Sequence, residues 1–183
     1  APLHAIGVGF TASSYVRGAA DDPLLRARLE ARTGGIPVAL TTEAAVLALR
    51  ALDVNRVALI DPPWFAPNLI ALGSEYFAAQ GCEVVFAAAA ALPSEQRAIN
   101  PGQLFEWTRQ NVPSSAEAVF IGGSGFRAVG VIAALEEDLG IPVLTANQVL
   151  LWQLLRLAKT HAPVNGYGRL FDLDLPASCR HLD

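Results

Sequence analysis

The sequence predicts an α/β protein built on parallel strands, and three observations support this fold class. Short apolar runs alternate with segments of helical periodicity, so that helical crossovers connect successive strands and place them parallel. The runs are nearly all apolar rather than alternating, which is typical of strands covered on both faces. The chain has 183 residues, of which 52% are hydrophobic and 16% are charged, and this is enough to bury a sizeable core.

Each element is predicted from its own pattern along the chain. Six strands are predicted at His4–Phe10, Pro37–Leu40, Arg56–Asp61, Glu83–Ala88, Ala118–Gly122 and Pro142–Thr145. Six helices are predicted at Tyr15–Arg32, Thr42–Leu52, Asn68–Gln80, Pro101–Gln110, Arg127–Leu139 and Gln148–Lys159. Gly81 and Gly140 follow helical segments, where a glycine commonly ends a helix in the left-handed conformation.

An internal repeat divides this pattern into two similar units. The segment "GGIPVALTTEAAVLALRAL" from Gly34 aligns without gaps with "LGIPVLTANQVLLWQLLRL" from Leu139. Each copy follows a strand that ends in a small polar turn, "GVGFTASS" or "VFIGGSGF". Because parallel α/β sheets bind ligands at the carboxyl ends of their strands, we expect the two turns to face each other across a site.

Composition argues against several classes of function. A net charge of −4 without a basic run disfavours nucleic acid as a partner, and no apolar run reaches the roughly 18 residues of a membrane span. Cys82 and Cys179 lack metal-ligand spacing and predict no disulfide framework, so a reducing cytoplasm is the expected location. The three histidines, which lie away from the predicted carboxyl ends of strands, argue against a metal site or a Ser-His-Asp triad; they are His4, His161 and His181.

The stretch "AVFIGGSGFR" is the first candidate for a binding site. The backbone N–H groups of Gly122, Gly123 and Gly125 would lie beside a helix N-terminus, with the Ser124 hydroxyl and the Arg127 guanidinium available to a carboxylate or oxyanion. A tight strand-to-helix turn without a ligand explains the same residues equally well. No Gly-Lys-Ser/Thr follows, and the glycine spacing does not fit a dinucleotide fingerprint, so nucleotides are not indicated.

Other strand ends also carry polar side chains. Thr11, Ser13 and Ser14 can bind a carboxylate or cap the following helix, and capping is the commoner role. Asp61 precedes "PPWF" and can serve as an acid or base or form a turn before proline. The end of the second strand in each unit offers further helix caps that are secondarily candidate ligand contacts: Thr41, Thr42, Thr145 and Asn147.

These stretches resemble the aspartate/glutamate/hydantoin racemase superfamily, within it the branch of maleate cis-trans isomerase and arylmalonate decarboxylase. The matching segments run from "GFTASSYVRG" through "GIPVALTTEAAVLALRALDVNRVALIDPPW", Asn68 and "VFIGGSGFRAVGVIAALEEDLGIPVLTANQVLLW" to "GYGRL". The resemblance implies two Rossmann-like (flavodoxin-like) lobes related by a pseudo-twofold axis, with the site between them. It further implies small carboxylate substrates such as amino acids, maleate or malonates, an enolate-like or covalent intermediate, and no cofactor and no metal.

The lobes implied by the resemblance are residues 1–52 with 148–183, and residues 53–147. The first lobe is expected to lack its usual N-terminal segment, including an early Asn-containing turn. The two cysteines of two-cysteine members fall on Phe10 and Gly123, so both thiols are missing. The family's Thr-Pro-Tyr turn reads Asp61-Pro62-Pro63 and is followed by Trp64, so its tyrosine hydroxyl is missing as well.

Three hypotheses follow. The first is a cofactor-independent racemase, isomerase or decarboxylase in which Thr11 and Ser124 stabilise an anion and Asp61 carries a proton. Its substrate-binding residues would be Ser13, Ser14, Thr42, Trp64, Gly122, Gly123, Gly125, Arg127 and Asn147. The second is an inactive carboxylate-binding protein of the same fold. The third is a structural role in self-association, and the high apolar content is in any case typical of a homo-oligomer.

Overall fold

Six parallel strands form two sheets in the computed structural model, which describes residues 3–162 and 164–176. The strands are β1 Ile6–Val8, β2 Val38–Leu40, β3 Arg56–Asp61, β4 Glu83–Ala89, β5 Ala118–Ile121 and β6 Val143–Thr145. β1 pairs with β2, and the second sheet has the order β4-β3-β5-β6. Counted from β3, this order is 2-1-3-4, which is the beginning of the flavodoxin-like order. The predicted α/β class with parallel strands is therefore confirmed.

The described chain has seven α-helices, one more than predicted; six lie between consecutive strands and the last follows β6. They are α1 Thr11–Arg17, α2 Asp21–Arg32, α3 Thr41–Ala51, α4 Pro67–Ala79, α5 Pro101–Asn111, α6 Ile132–Leu139 and α7 Ala146–Leu157. The single helix predicted over residues 15–32 was wrong, because Gly18 takes a φ of 80° and ends α1 before α2 begins. Gly140 ends α6 in the left-handed conformation, as predicted.

The helix predicted from Arg127 was also wrong at its start. Residues 124–126 form a turn and a bend, Val129–Val131 form a 3-10 turn, and α6 begins at Ile132. The glycine turn is thus separated from the N-terminus of α6. The helix dipole invoked for the bound anion acts mainly within the first helical turn, so it does not reach Gly123.

The core lies on both faces of the four-stranded sheet. Val57 and Leu59 of β3 belong to one buried cluster, with Phe77, Trp152 and the apolar face of α3. Alternate residues of the same strand belong to a second cluster under α5 and α6. This division follows the two-residue period of a strand, and it explains why the strand sequence is apolar throughout.

Helix α7 connects the two sheets, since it contacts β1, β2 and β6 as well as α3. The boundaries 1–52 with 148–183, and 53–147, stay a prediction. Cys179 and His181 lie outside the described residues. No helix within residues 3–162 and 164–176 is both long and apolar enough to cross a membrane.

Candidate functional site

The turns that follow β1 and β5 are in direct contact. Thr11, the first residue of α1, accepts a hydrogen bond at its Oγ1 from the backbone N–H of Gly123 at 3.2 Å. Thr11 is 1% exposed, so this bond lies in the interior. The repeat in the sequence predicts that the two turns lie together, and this contact joins turns that follow strands of the two different sheets.

A cavity of about 390 Å³ opens beside the second turn. Its lining includes Ser124, Gly125, Arg127 and Asn147. Asn147 Nδ2 donates to the Ser124 carbonyl oxygen at 3.0 Å and so holds the turn from the start of α7. Arg127 is exposed, with one guanidinium nitrogen 3.5 Å from the Arg97 carbonyl oxygen. Four of the predicted residues therefore share one concave surface.

Ser124 is the unusual residue in the lining of this cavity. Its Oγ is buried and has no hydrogen-bond partner among the described residues. A buried polar group without a partner costs about 1–3 kcal/mol. A ligand oxygen that accepts from this hydroxyl would remove that cost.

The glycine turn has its shape because no side chain fits there. Gly123 has a φ of 80°, and a Cβ at this position would overlap the ring of Pro62. A Cβ at Gly122 would lie 2.7 Å from Asp61 Oδ1. A Cβ at Gly125 would lie 2.8 Å from the side chain of Gln96. All three glycines therefore allow close approach of neighbouring groups.

Asp61 lies beneath this turn and faces inward. It is 0% exposed, its Oδ2 has no hydrogen-bond partner among the described residues, and Tyr15 OH donates to its Oδ1 at 3.4 Å. Burial raises the pKa of Asp61 to about 7, and the hydrogen bond from Tyr15 opposes part of that rise. Asp61 does not line the cavity at Ser124. Tyr15 was missed by sequence reasoning; its position four residues after Thr11, on the same helix face, was the available signal.

Several predicted contacts are instead used inside the protein. Ser13 Oγ donates to the Phe10 carbonyl oxygen at 2.8 Å, and Thr42 Oγ1 donates to the Thr11 carbonyl oxygen at 3.4 Å. Ser14 is 2% exposed. Trp64 packs edge-on against Phe126 with ring centroids 5.9 Å apart, so it stands behind a cavity wall rather than in the cavity.

The threonines of the repeat differ in their capping. The prediction that Thr41 and Thr42 cap α3 was wrong, because α3 has no side-chain cap and Thr41 Oγ1 donates to the Val8 carbonyl oxygen at 2.9 Å. Thr145 does cap α7, in a capping box with Gln148. Asn147 is the second residue of α7 and bonds to Ser124 instead of capping.

A larger cavity, of about 510 Å³, lies at the opposite end of β2 and includes none of the predicted site residues. Its walls carry Arg26 and Glu43, which are paired at 3.2 Å. Burial raises the pKa of Glu43.

Cys82 precedes β4, away from both turns, and burial raises the pKa of its thiol. In the described ranges, no three His, Cys, Asp or Glu side chains are grouped so that they could hold a metal ion.

Comparisons with known proteins agree with this architecture. The sequence model of the arylmalonate decarboxylase family matches residues 3–171. Arylmalonate decarboxylase of Bordetella bronchiseptica is 30% identical over 166 residues, which are 88% of this chain and 68% of that protein. A crystal structure of arylmalonate decarboxylase superposes with a TM-score of 0.84 at 24% identity, covering 92% of this chain and 75% of that one. Maleate cis-trans isomerase of Nocardia farcinica, bound to TRIS, superposes with a TM-score of 0.82 at 25% identity, covering 92% and 70%.

Proposed function

The chain belongs to the arylmalonate decarboxylase family, and we propose that it binds a small carboxylate beside the Ser124 turn and decarboxylates it without a cofactor. The observations that carry this proposal are that Ser124 lines the cavity and that its buried Oγ has no hydrogen-bond partner among the described residues. Relatives named for arylmalonate and for maleate indicate the class of ligand. Malonates are the substrates that we expect first.

Decarboxylation suits the groups at this site because it requires the least from the protein. The bond between the α-carbon and one carboxyl group breaks, CO₂ leaves, and the electron pair remains on the α-carbon as an enediolate. Ser124 Oγ and the backbone N–H of Gly125 are the donors proposed to stabilise the carboxylate oxygens as that charge develops. A proton that originates from solvent then adds to the α-carbon and restores its fourth bond. Arg127 and Asn147 complete the proposed polar lining.

Thr11 has a positioning role in this proposal. Its Oγ1 fixes the N–H of Gly123 by accepting its hydrogen bond, so that N–H is not the donor to a substrate. Asp61 stays the candidate proton carrier, since it is the titratable side chain directly under the turn. Its carboxyl group does not line the cavity, so it acts on a ligand electrostatically, and any proton that it passes to the α-carbon travels through solvent.

Binding without turnover is the second candidate function. The positions that the superfamily resemblance assigns to two cysteines hold Phe10 and Gly123, and Cys82 lies away from the site. Thiol-dependent racemisation or isomerisation therefore has no nucleophile or base at these positions. A carboxylate held by Ser124 and then released unchanged would be consistent with the same geometry.

The test is incubation of the full chain with phenylmalonate, malonate, maleate, aspartate and glutamate in D₂O, followed by NMR. We expect phenylacetate with deuterium at the α-carbon. Ser124→Ala should lower the rate by about 10²-fold or more, which is typical of losing one oxyanion donor. Ser74→Ala, which removes a hydroxyl bonded within α4, is the matched control and should keep the rate.

Each other outcome decides between the candidates. Thermal stabilisation by phenylmalonate without product would favour the binding protein. Neither product nor stabilisation by any of these acids would overturn both.

The proposed location is the cytoplasm, and the proposed oligomeric state is a homo-oligomer. Exposed Phe10, Val16 and Leu24 support the homo-oligomer, and sedimentation velocity measures it.

A further inference from the structure

We propose that Tyr15 is a positioning residue for Asp61, and that Asp61 takes up one proton when a carboxylate binds beside the Ser124 turn. This inference rests on the proposed function, because it concerns the same site. It adds a group that sequence reasoning missed and a measurable coupling between ligand and proton.

Tyr15 occupies a space that the fold has made for it. The side chain is 1% exposed and its ring packs against the rings of Phe65, Tyr76 and Phe77. Gly73 lies inside α4, where a Cβ would come within 2.6 Å of the Tyr15 ring. Glycine in a helix interior costs roughly 0.5–1 kcal/mol relative to alanine, and here that cost accompanies close packing of the tyrosine.

A second glycine makes room for the carboxyl group of Asp61. Gly122 allows Oδ1 to approach within 2.7 Å of the position that a Cβ would take. Oδ1 accepts from Tyr15 at 3.4 Å, whereas the buried Oδ2 has no partner among the described residues. Tyr15 therefore fixes one oxygen, and the other is placed to carry a proton.

The charges around this pair are few. Tyr15 is the titratable side chain in contact with Asp61. Behind it, Tyr76 donates to Asp22 at 2.8 Å, and Asp22 is paired with Arg17 at 2.8 Å. That ion pair is internally balanced. On the cavity side the charged group is Arg127, which is exposed.

Asp61 Oδ1 approaches Gly122, which stands two residues before the cavity-lining Ser124, so a carboxylate bound at that turn lies near the Asp61 carboxyl group. Two negative charges close together at low dielectric repel strongly, so the bound state favours the neutral acid. The pKa of Asp61 in the free protein is about 7, and a bound anion raises it. Below that pH the acid is already neutral and affinity does not change with pH. Above it, binding must draw a proton from solvent, and affinity falls by at most about tenfold per pH unit.

The experiment is calorimetric titration of the full chain between about pH 6 and about pH 9, in two buffers of different ionisation enthalpy. The probe is phenylmalonate, or phenylacetate if phenylmalonate is turned over. We expect constant affinity to about pH 7, about tenfold weaker binding by about pH 8.5, and uptake approaching one proton above pH 7. Asp61→Asn should abolish both the pH dependence and the uptake.

Two more variants test the role of Tyr15. Tyr15→Phe removes the hydrogen bond that favours the charged form, so the onset of weakening should move to higher pH. Asp53→Asn is the matched control: Asp53 is exposed with a φ of 54°, a conformation that asparagine accepts. Its pH curve should match that of the wild type. Circular dichroism establishes that each variant folds, and the wild-type titration stands even if one does not.

The outcomes separate this inference from the function on which it rests. Binding whose affinity and proton uptake are the same across the range would overturn the coupling and leave the carboxylate site standing. A Tyr15→Phe curve identical to the wild type would overturn the positioning role. No binding of either probe at about pH 6, where coupling is absent, would remove the site and this inference together.

Discussion

The turns that follow β1 and β5, one from each sheet, belong to related sequence units and differ in what their hydroxyls do. After β1, helix α1 begins at Thr11, and the hydroxyls of Thr11 and Ser13 both bond to backbone groups. After β5, the chain continues through an open turn before α6 begins at Ile132, and Ser124 Oγ stays without a partner among the described residues. The turn at Thr11, called here the structural turn, and the turn at Ser124, called the binding turn, thus differ in where the next helix starts.

The physical reason lies in the glycines. A helix that begins directly after a strand orders the turn in αR geometry, which turns short side chains toward nearby backbone groups. Gly123, at a φ of 80°, directs the chain away from that geometry. The contrast between the two turns can be tested at four positions.

Asp61, beneath the binding turn, should give the largest effect. Its pKa of about 7 in the folded protein lies above the ordinary aspartate value of 3.8, so between these two pH values the folded state holds a proton that the unfolded state has released. Stability should therefore fall as pH rises from about 4 to about 7, by up to about 4 kcal/mol, and level off above. Asp61→Asn should remove this pH dependence of the free energy of unfolding. Urea unfolding across that pH range measures it, with Asp53→Asn as the control. Parallel curves for wild type and Asp61→Asn would show that the carboxyl group is not protonated in the folded state.

Gly123→Ala tests the backbone of the binding turn. The positive φ and the overlap with Pro62 should together cost about 3 kcal/mol. Gly34→Ala is a matched control, because Gly34 has a φ of 74° and open space around its Cβ position; it should cost about 1 kcal/mol. Equal losses in thermal unfolding would mean that Pro62 yields without cost.

Thr11→Val tests the structural turn. The substitution keeps the shape but leaves the Gly123 N–H without its acceptor, at a cost of about 1–3 kcal/mol. Thr11→Ser keeps the oxygen and should recover most of that loss. Chemical denaturation compares the two, and a serine variant as unstable as the valine variant would point to packing instead of the hydrogen bond.

Ser124→Ala should have the smallest effect on stability. Because Ser124 Oγ has no partner in the described chain, its removal should be neutral or stabilising by less than about 1 kcal/mol. Thr11→Val should lower the free energy of unfolding, whereas Ser124→Ala should leave it unchanged or raise it. Measuring both in the same denaturation series tests the difference between the two turns. A clear loss of stability in Ser124→Ala would show that its hydroxyl is used inside the fold.

Local patterns predicted the strands well and the site only in part. β3 has the predicted bounds, Arg56–Asp61, because a buried parallel strand is apolar throughout. The break at Gly18 was missed because apolar residues continue on both sides of it. Asp61 stood out at a strand end, but Tyr15 is 46 positions away, and such a pairing depends on how α1 packs against β3. The spacing of residues along the sequence does not predict that Tyr15 and Asp61 come into contact.

The packing of Trp64 against Phe126 also makes the site observable by light. Phe126 lines the cavity, and the indole stands edge-on behind it at 5.9 Å. A ligand that shifts the Phe126 ring should change the polarity around the Trp64 indole and therefore the fluorescence of the unlabelled protein. We expect occupancy to change the fluorescence, and Trp64→Phe, which keeps Trp107 and Trp152, is the reference in which that change should be absent.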